Sequence, residues 1–224
     1  MDSGFLLIDK PAGMTSHDVI DHVRRATGVK RVGHSGTLDP FATGLLIVGV
    51  GREATKRLGE LLKKDKEYVG TIALGAVSET YEKTGKITVN NGVVAPSRKE
   101  VEDAVKGFVG KIKQVPPMFS AKKFEGKRLY KLAQRGIEVK PKECDVEVHK
   151  FEILSYEWPL LSVRVECSSG TYIRSLANDL GARLCVGGYL SELRRMKIDR
   201  FSVEDALELS KLSPENWRSR LFSL

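Results

Sequence analysis

The rhythm of apolar and polar positions changes often along this chain, and the changes mark its elements. GFLLID, residues 4–9, is a short apolar run that predicts a first buried strand. TSHDVIDHVRRATG, residues 15–28, predicts a helix, with Thr15 and Asp18 spaced as a capping box and Gly28 as its stop. Residues 30–44 form a long stretch rich in glycine, serine and threonine, a loop of the kind that carries function in compact domains. LLIVGVG (45–51) is a second buried strand, and EATKRLGELLKK a helix with Leu58, Leu61 and Leu62 on one side and lysines on the other. KEYVGTIALG (66–75) alternates as a strand does, and KITV follows the turn KTG as another. SRKEVEDAVKGFVG (97–110) is a helix with a capping box of Ser97 and Glu100 and a terminal glycine.

After a rigid Val115-Pro116-Pro117 segment, a strand-like piece and a short basic helix are expected up to Gly136. CDVEVHKFEILSYEW and LLSVRVECSS are two strands joined near Pro159, TYIRSLANDLGARLC is a helix, and YLSELRRMKI returns as a strand. SVEDALELSKL and SPENWRSRLF are expected to close the chain as short helices, the second with Pro214 in its first turn. Strands and helices mix without a strict βαβ alternation. The expected class is therefore α+β, with a mainly antiparallel sheet and flanking helices. No internal repeat and no low-complexity linker interrupts the 224 residues, which is enough chain for a substantial core.

Charge narrows the partner. Lys and Arg total 37 against 29 Asp and Glu, a net charge of +8 that suits a polyanion such as nucleic acid or serves solubility alone. The three cysteines show neither metal-ligand nor redox spacing, and their odd number argues for a reducing compartment. The four histidines are scattered, so no metal site is expected. The N-terminus lacks a basic leader, and no window holds the ~18 apolar residues of a membrane helix. A cytoplasmic protein without membrane contact is the expectation.

The long loop reads RVGHSGTLDPFATGLLIVGVG from residue 31. Its glycines allow unusual backbone and close approach of a ligand, and Pro40 restricts Asp39 to extended geometry. From these residues alone, Asp39 is either a turn cap ahead of proline or a carboxylate braced for chemistry.

The surrounding motifs weigh on that choice. GHSGTLDPFATG resembles the active-site loop of the TruB family of tRNA pseudouridine synthases. DKPAGMTSHDV, KEYVGTIALG, VPPMFSAKKFEGKRLYKLAQRG, SSGTYIRSLANDLG and YLSELRRMKI resemble further family motifs in the same order, so the likeness spans nearly the whole chain. It implies a pseudouridine synthase fold with an RNA-binding cleft, in a single catalytic domain over 1–224. An inserted basic segment at about 118–136 would act as an RNA clamp, and no C-terminal domain of the PUA type is expected. It implies isomerisation of uridine 55 in the tRNA T-loop, without cofactor or metal, on a base flipped out of the loop.

Asp39 falls on the family's catalytic aspartate and Arg174 on the arginine that pairs with it. Tyr68 falls on the tyrosine that stacks on the base, Tyr172 and Leu193 on the pocket walls, and His34 on the histidine that fills the gap the base leaves. Lys10 and Pro11 are read as structural, with Lys10 able to neutralise a neighbour near the site. Candidate phosphate contacts are Lys122, Lys123, Lys127, Arg128, Arg194 and Arg195. Glu79 and Glu82 stand where the family often has aspartates, and Ser35 where threonine is frequent, which touches loop detail more than reaction.

The partner implied is the T-stem-loop of tRNA, bound by a monomer without a guide RNA. Two rivals remain at this point: a related synthase with another RNA target, and a tRNA-binding folding helper whose basic surface would suffice. A pure binder has no use for a carboxylate facing phosphates. If the basic clusters neutralise phosphates, the binding constant for tRNA falls linearly on a log–log plot against salt, with a slope of about −0.7 to −0.9 per phosphate neutralised. A flat salt dependence in a titration would remove the phosphate reading.

Overall fold

The computed structural model describes residues 3–224 apart from 121, 125, 134, 138 and 140, and of 123, 124, 128, 130 and 131 it describes only the backbone. In chain order the elements are β1 (Gly4–Lys10), α1 (Ser16–Thr27), β2 (Val32–His34), β3 (Thr43–Val50), α2 (Arg52–Leu62) and β4 (Lys66–Leu74). They continue with β5 (Ala76–Ser78), β6 (Ile87–Val89), α3 (Arg98–Lys106), β7 (Gly110–Gln114), β8 (Lys123–Phe124), β9 (Lys127–Arg128) and α4 (Leu129–Ala133). The last are β10 (Cys144–Glu157), β11 (Leu160–Cys167), α5 (Ile173–Arg183), β12 (Gly188–Ile198), β13 (Phe201–Ser202) and β14 (Leu207–Glu208). These fall into two compact units, Met1–Tyr68 with Leu193–Leu224, and Val69–Glu192.

The first unit is organised around β3. Its strands run in the order β14-β1-β3-β12, with β2 also on β3 and β13 on β12. β1 pairs antiparallel with β3, whereas β14 joins β1 and β12 joins β3 in parallel. Successive residues of a strand point to opposite faces. Leu6 and Ile8 of β1 with Leu46, Val48 and Val50 of β3 therefore meet Val19, Ile20 and Val23 of α1 on one face. Phe5, Leu45 and Ile47 meet Ala54, Leu58 and Leu61 of α2 on the other. Coverage of both faces is why β3 reads as an unbroken apolar run.

The helix ends follow their sequence signals. Thr15 and Asp18 form the capping box of α1, and Gly28 ends it at φ 71° in the left-handed region.

In the second unit the sheet order is β4-β11-β10-β7, with β10 antiparallel to both neighbours. Helix α3 packs against β10 and α5. Its buried Val101, Ala104 and Val105 form one stripe, and Leu176, Ala177 and Leu180 do the same on α5. Ser97 and Glu100 make the expected capping box on α3.

The α+β expectation holds, and two local expectations change. The helix from Ser97 stops at Lys106 rather than Gly110; Gly110 turns at φ 102° and the next residues pair with β10 as β7. The closing helices are instead 3₁₀ turns at Val203–Asp205, Leu209–Lys211 and Arg218–Arg220. Leu207–Glu208 leave helical geometry to pair with β1, and Asn216 binds the Ser213 amide (2.9 Å) and the Lys211 carbonyl (2.8 Å). Side chains that bond to nearby backbone in this way compete with helix.

This tail is part of the core: Leu209, Leu212 and Trp217 join the α1 face, and Trp217 is 1% exposed. Trp217→Ala is expected to destabilise the protein by about 3–5 kcal/mol, read by calorimetry as a fall in Tm of roughly 6–20 °C. A change below about 1 kcal/mol would mean that the tail packs loosely on α1.

Candidate active site

The segment that presents Asp39 is tied down on both sides of the carboxylate. Ser16, the first residue of α1, accepts from the Leu38 amide at 2.9 Å and donates to the Leu38 carbonyl at 3.1 Å. One residue after Asp39, the Pro40 carbonyl accepts from the Gly13 amide (2.8 Å) and from Lys10 Nζ (3.3 Å). Lys10 also donates to the carbonyls of Pro11 (2.8 Å) and Met14 (2.6 Å), so its three ammonium protons all meet backbone oxygens. Asp39 is thus a half-buried carboxylate on a braced turn, with the charges of Lys10 and Arg195 near enough to act on it.

Around this turn, Tyr68 on β4 is 8% exposed and Leu193 on β12 is also buried. Arg195 hydrogen-bonds the Tyr68 hydroxyl. His34 ends β2, and its buried Nδ1 has no hydrogen-bond partner among the described residues. Burial, helped by the charges of Arg195 and His17, holds the His34 imidazole below its ordinary pKa of 6.5. The ring is therefore neutral at pH 7.

The start of α5, in the second unit, is fastened with similar care. Gln114 donates to the Tyr172 carbonyl (3.0 Å) and accepts from the Tyr172 amide (2.7 Å), as a strand neighbour would. Ser175 binds the Val115 carbonyl at 2.8 Å. Arg174 is 5% exposed and joins two loops through the carbonyls of Thr80 (3.2 Å) and Phe119 (2.8 Å). Burial pushes the Tyr172 phenol above its ordinary value.

Known proteins are similar to this chain. The family model described as TruB family pseudouridylate synthase (N terminal domain) matches residues 24–173. The chain belongs to the TruB family. It is 46% identical to tRNA pseudouridine synthase B of Protochlamydia amoebophila over 204 residues, 91% of this chain and 77% of that protein. It is 45% identical to the protein of the same name from Chlamydia pneumoniae over 208 residues, 93% and 88% of the two chains. Among solved structures it is similar to a chain of a Cbf5-Nop10-Gar1 complex, with a TM-score of 0.72 and 30% identity over 93% of this chain. A chain of the archaeal box H/ACA sRNP Nop10-Cbf5 complex gives a TM-score of 0.70 and 28% identity over 96%. The chain spans about half the length of those two, 53% and 55%.

Asp39, Tyr68, Leu193 and His34 thus lie in the first unit, and Tyr172 and Arg174 in the second. The expected phosphate contacts fare differently. Arg195 is 1% exposed, so it cannot reach a phosphate; its guanidinium binds the carbonyls of Leu45 (2.7 Å) and Gly36 (3.1 Å). Arg194 is half-buried and grips Asp9 with both nitrogens, at 3.1 and 2.7 Å. Lys127 is exposed, and Lys122 directs its ammonium to Cys144 Sγ at 2.7 Å. The side chains of Lys123 and Arg128 lie outside the described residues. Among the described residues no three His, Cys, Asp or Glu side chains gather as metal ligands, and no helix is long and apolar enough to cross a membrane.

Sequence reasoning missed the inward turn of Arg195. Its signal is the alternation of β12, in which Leu193 and Arg195 share the buried parity and Arg194 lies between them.

Lys10 carries a pH signature. Burial, reinforced by Arg195 and opposed by Asp39, pulls its pKa from 10.5 to about 8. Between these values the unfolded chain holds a proton that the folded protein has released, so this contribution to stability rises with pH across the window. Wild type is expected to gain stability relative to Lys10→Met as pH climbs from about 8 towards 10.5. Denaturation curves for the two proteins that stay parallel across that range would show that Lys10 keeps its ordinary pKa.

Proposed function

We propose that this protein isomerises uridine 55 in the T-loop of tRNA to pseudouridine, with Asp39 as the reacting carboxylate. The observation that supports this most directly is the turn from Leu38 to Pro40, fixed by Ser16, Gly13 and Lys10 on either side of Asp39. A turn cap has no need of three separate anchors. A carboxylate that must meet one atom of a substrate does, because small misplacements cost rate steeply.

The bond between base N1 and ribose C1′ breaks, the base turns, C5 bonds to C1′ and gives up its hydrogen as a proton, and N1 takes up a proton. Nothing is oxidised or reduced, and no cofactor is required. An ionised carboxylate can serve this chemistry as a nucleophile, as a base or as the counter-charge to a cationic sugar. Lys10 and Arg195 both favour the ionised form by their charge. Arg174 is assigned as the family's partner to the aspartate, Tyr68 as the face on which the flipped base stacks, and Tyr172 and Leu193 as pocket walls. His34 is assigned to the space the base vacates.

The RNA is gripped without a guide by a monomer working in the cytoplasm. Lys127 and Lys122, in the 118–136 segment, form part of the clamp on the backbone. The identity of 44–47% to proteins named tRNA pseudouridine synthase B, against 28–30% to the two Cbf5 chains, favours tRNA as substrate.

The deciding experiment is tritium release from T-loop RNA labelled at uridine C5. Wild type should release tritium at that uridine, and Asp39→Asn should bind the RNA but lose at least about 10³-fold in rate, as expected for removal of a covalent or charge-stabilising group. Wild type that binds without releasing tritium would sink the reading for this substrate.

A further inference from the structure

The least explained group in the first unit is Arg195, a guanidinium buried to 1% exposure on a strand that a surface charge would have suited as well. Taking such a charge out of water is costly, and the cost is met only when its donors are matched and a counter-charge is near. Arg195 satisfies both conditions through residues that belong to the site. Nε donates to the Leu45 carbonyl at 2.7 Å and Nη2 to the Gly36 carbonyl at 3.1 Å. These are the two ends of the segment that carries Asp39. The guanidinium also hydrogen-bonds the Tyr68 hydroxyl, and Asp39 supplies the counter-charge.

The backbone of Arg195 adds a further hold. Arg195 pairs with Gly44 across β12 and β3, and a Cβ on Gly44 would lie 2.4 Å from the Arg195 carbonyl oxygen and 2.7 Å from its nitrogen. Gly44 also sits at φ 104°. Only glycine allows the segment to close this tightly onto Arg195.

We infer that Arg195 is a positioning residue for the isomerisation: one buried guanidinium sets the span between Gly36 and Leu45, and with it Asp39, and holds the hydroxyl of Tyr68 in register with them. The inference rests on the reading of Asp39 and Tyr68 given above. Its geometric half, that Arg195 orders residues 36–45, can be measured without catalysis. The planar fork is what the role requires. A lysine keeps the charge, but its protons radiate from one atom and cannot reproduce the spread of separate nitrogens by which Nε reaches Leu45 and Nη2 reaches Gly36.

The test uses Arg195→Lys and, since a buried charge that loses partners can unfold a protein, Tyr68→Phe as a second variant that cuts one tether and adds no polar group. Hydrogen exchange by mass spectrometry is run on the whole free protein, with single-turnover rate and RNA affinity measured on T-loop RNA. For Arg195→Lys we expect faster exchange confined to residues 36–45 and a rate lower by roughly 10- to 100-fold, with Kd within about threefold because no phosphate contact is lost. Tyr68→Phe should also loosen 36–45, although Tyr68 lies outside that segment. Its effect on rate should be smaller in the Arg195→Lys background than in wild type, as coupled residues require.

Unchanged exchange at 36–45 in both variants overturns the inference. So does exchange that rises evenly over the unit, which marks a structural role alone, or a loss that falls entirely on Kd. If wild type fails to isomerise T-loop uridine, the proposed reaction falls, and the exchange measurement still decides whether Arg195 orders the segment.

Discussion

Strand β3 has no face toward water, and most of the first unit follows from that. A strand buried on both sides needs a cover on each, which α1 and α2 supply. It also needs strand neighbours on both edges, which β1 and β12 supply. At roughly 1.5–3 kcal/mol for each large apolar side chain buried, the five carried by Leu45, Leu46, Ile47, Val48 and Val50 give the unit a rigid centre. The turn bearing Asp39 leaves directly from the start of this strand. The reactive group therefore sits on the stiffest part of the unit rather than on a free loop, the arrangement that precise chemistry favours.

The electrostatics follow a second pattern. Two cations whose charge acts on Asp39 bind main chain: Lys10 meets three carbonyls, and Arg195 meets two carbonyls and a phenol. The carbonyl bonds tie backbone of separate segments to one side chain each. The same groups project positive charge toward the carboxylate. Structure and charge stabilisation thus come from the same atoms, which makes the anchors of the turn hard to separate from its electrostatics.

Much of this was legible in the chain. The capping boxes at Thr15 and Ser97, the apolar run of β3 and the glycine stop of α1 are local signals, and each element formed where its signal stood. The misreadings have a common cause. The last two segments have helical composition but are drawn off by a strand pairing at Leu207 and by the burial of Trp217, both set by distant residues. β7 was hidden because its five residues gain their identity only beside β10. Arg195 looked like surface because a run of two arginines is usually solvated; only the parity of the strand separates one from the other. The carboxylate was recognisable from its motif and Lys10 as a structural residue near it, but the bonds that anchor the turn were not, since Ser16 and Lys10 bind backbone atoms that no side-chain pattern encodes.

The anchors of the Asp39 turn lie at very different distances along the chain. Ser16 is 22 residues from Leu38 and Lys10 is 30 from Pro40, while Arg195 is 159 from Gly36 and 150 from Leu45. Loops of the first kind close early and cheaply; the long one must wait for most of the polypeptide. During synthesis the strand, the first helix and the turn emerge from the ribosome well before the arginine does. The nascent chain therefore carries a half-anchored turn, and its last clamp engages only once synthesis has passed Arg195.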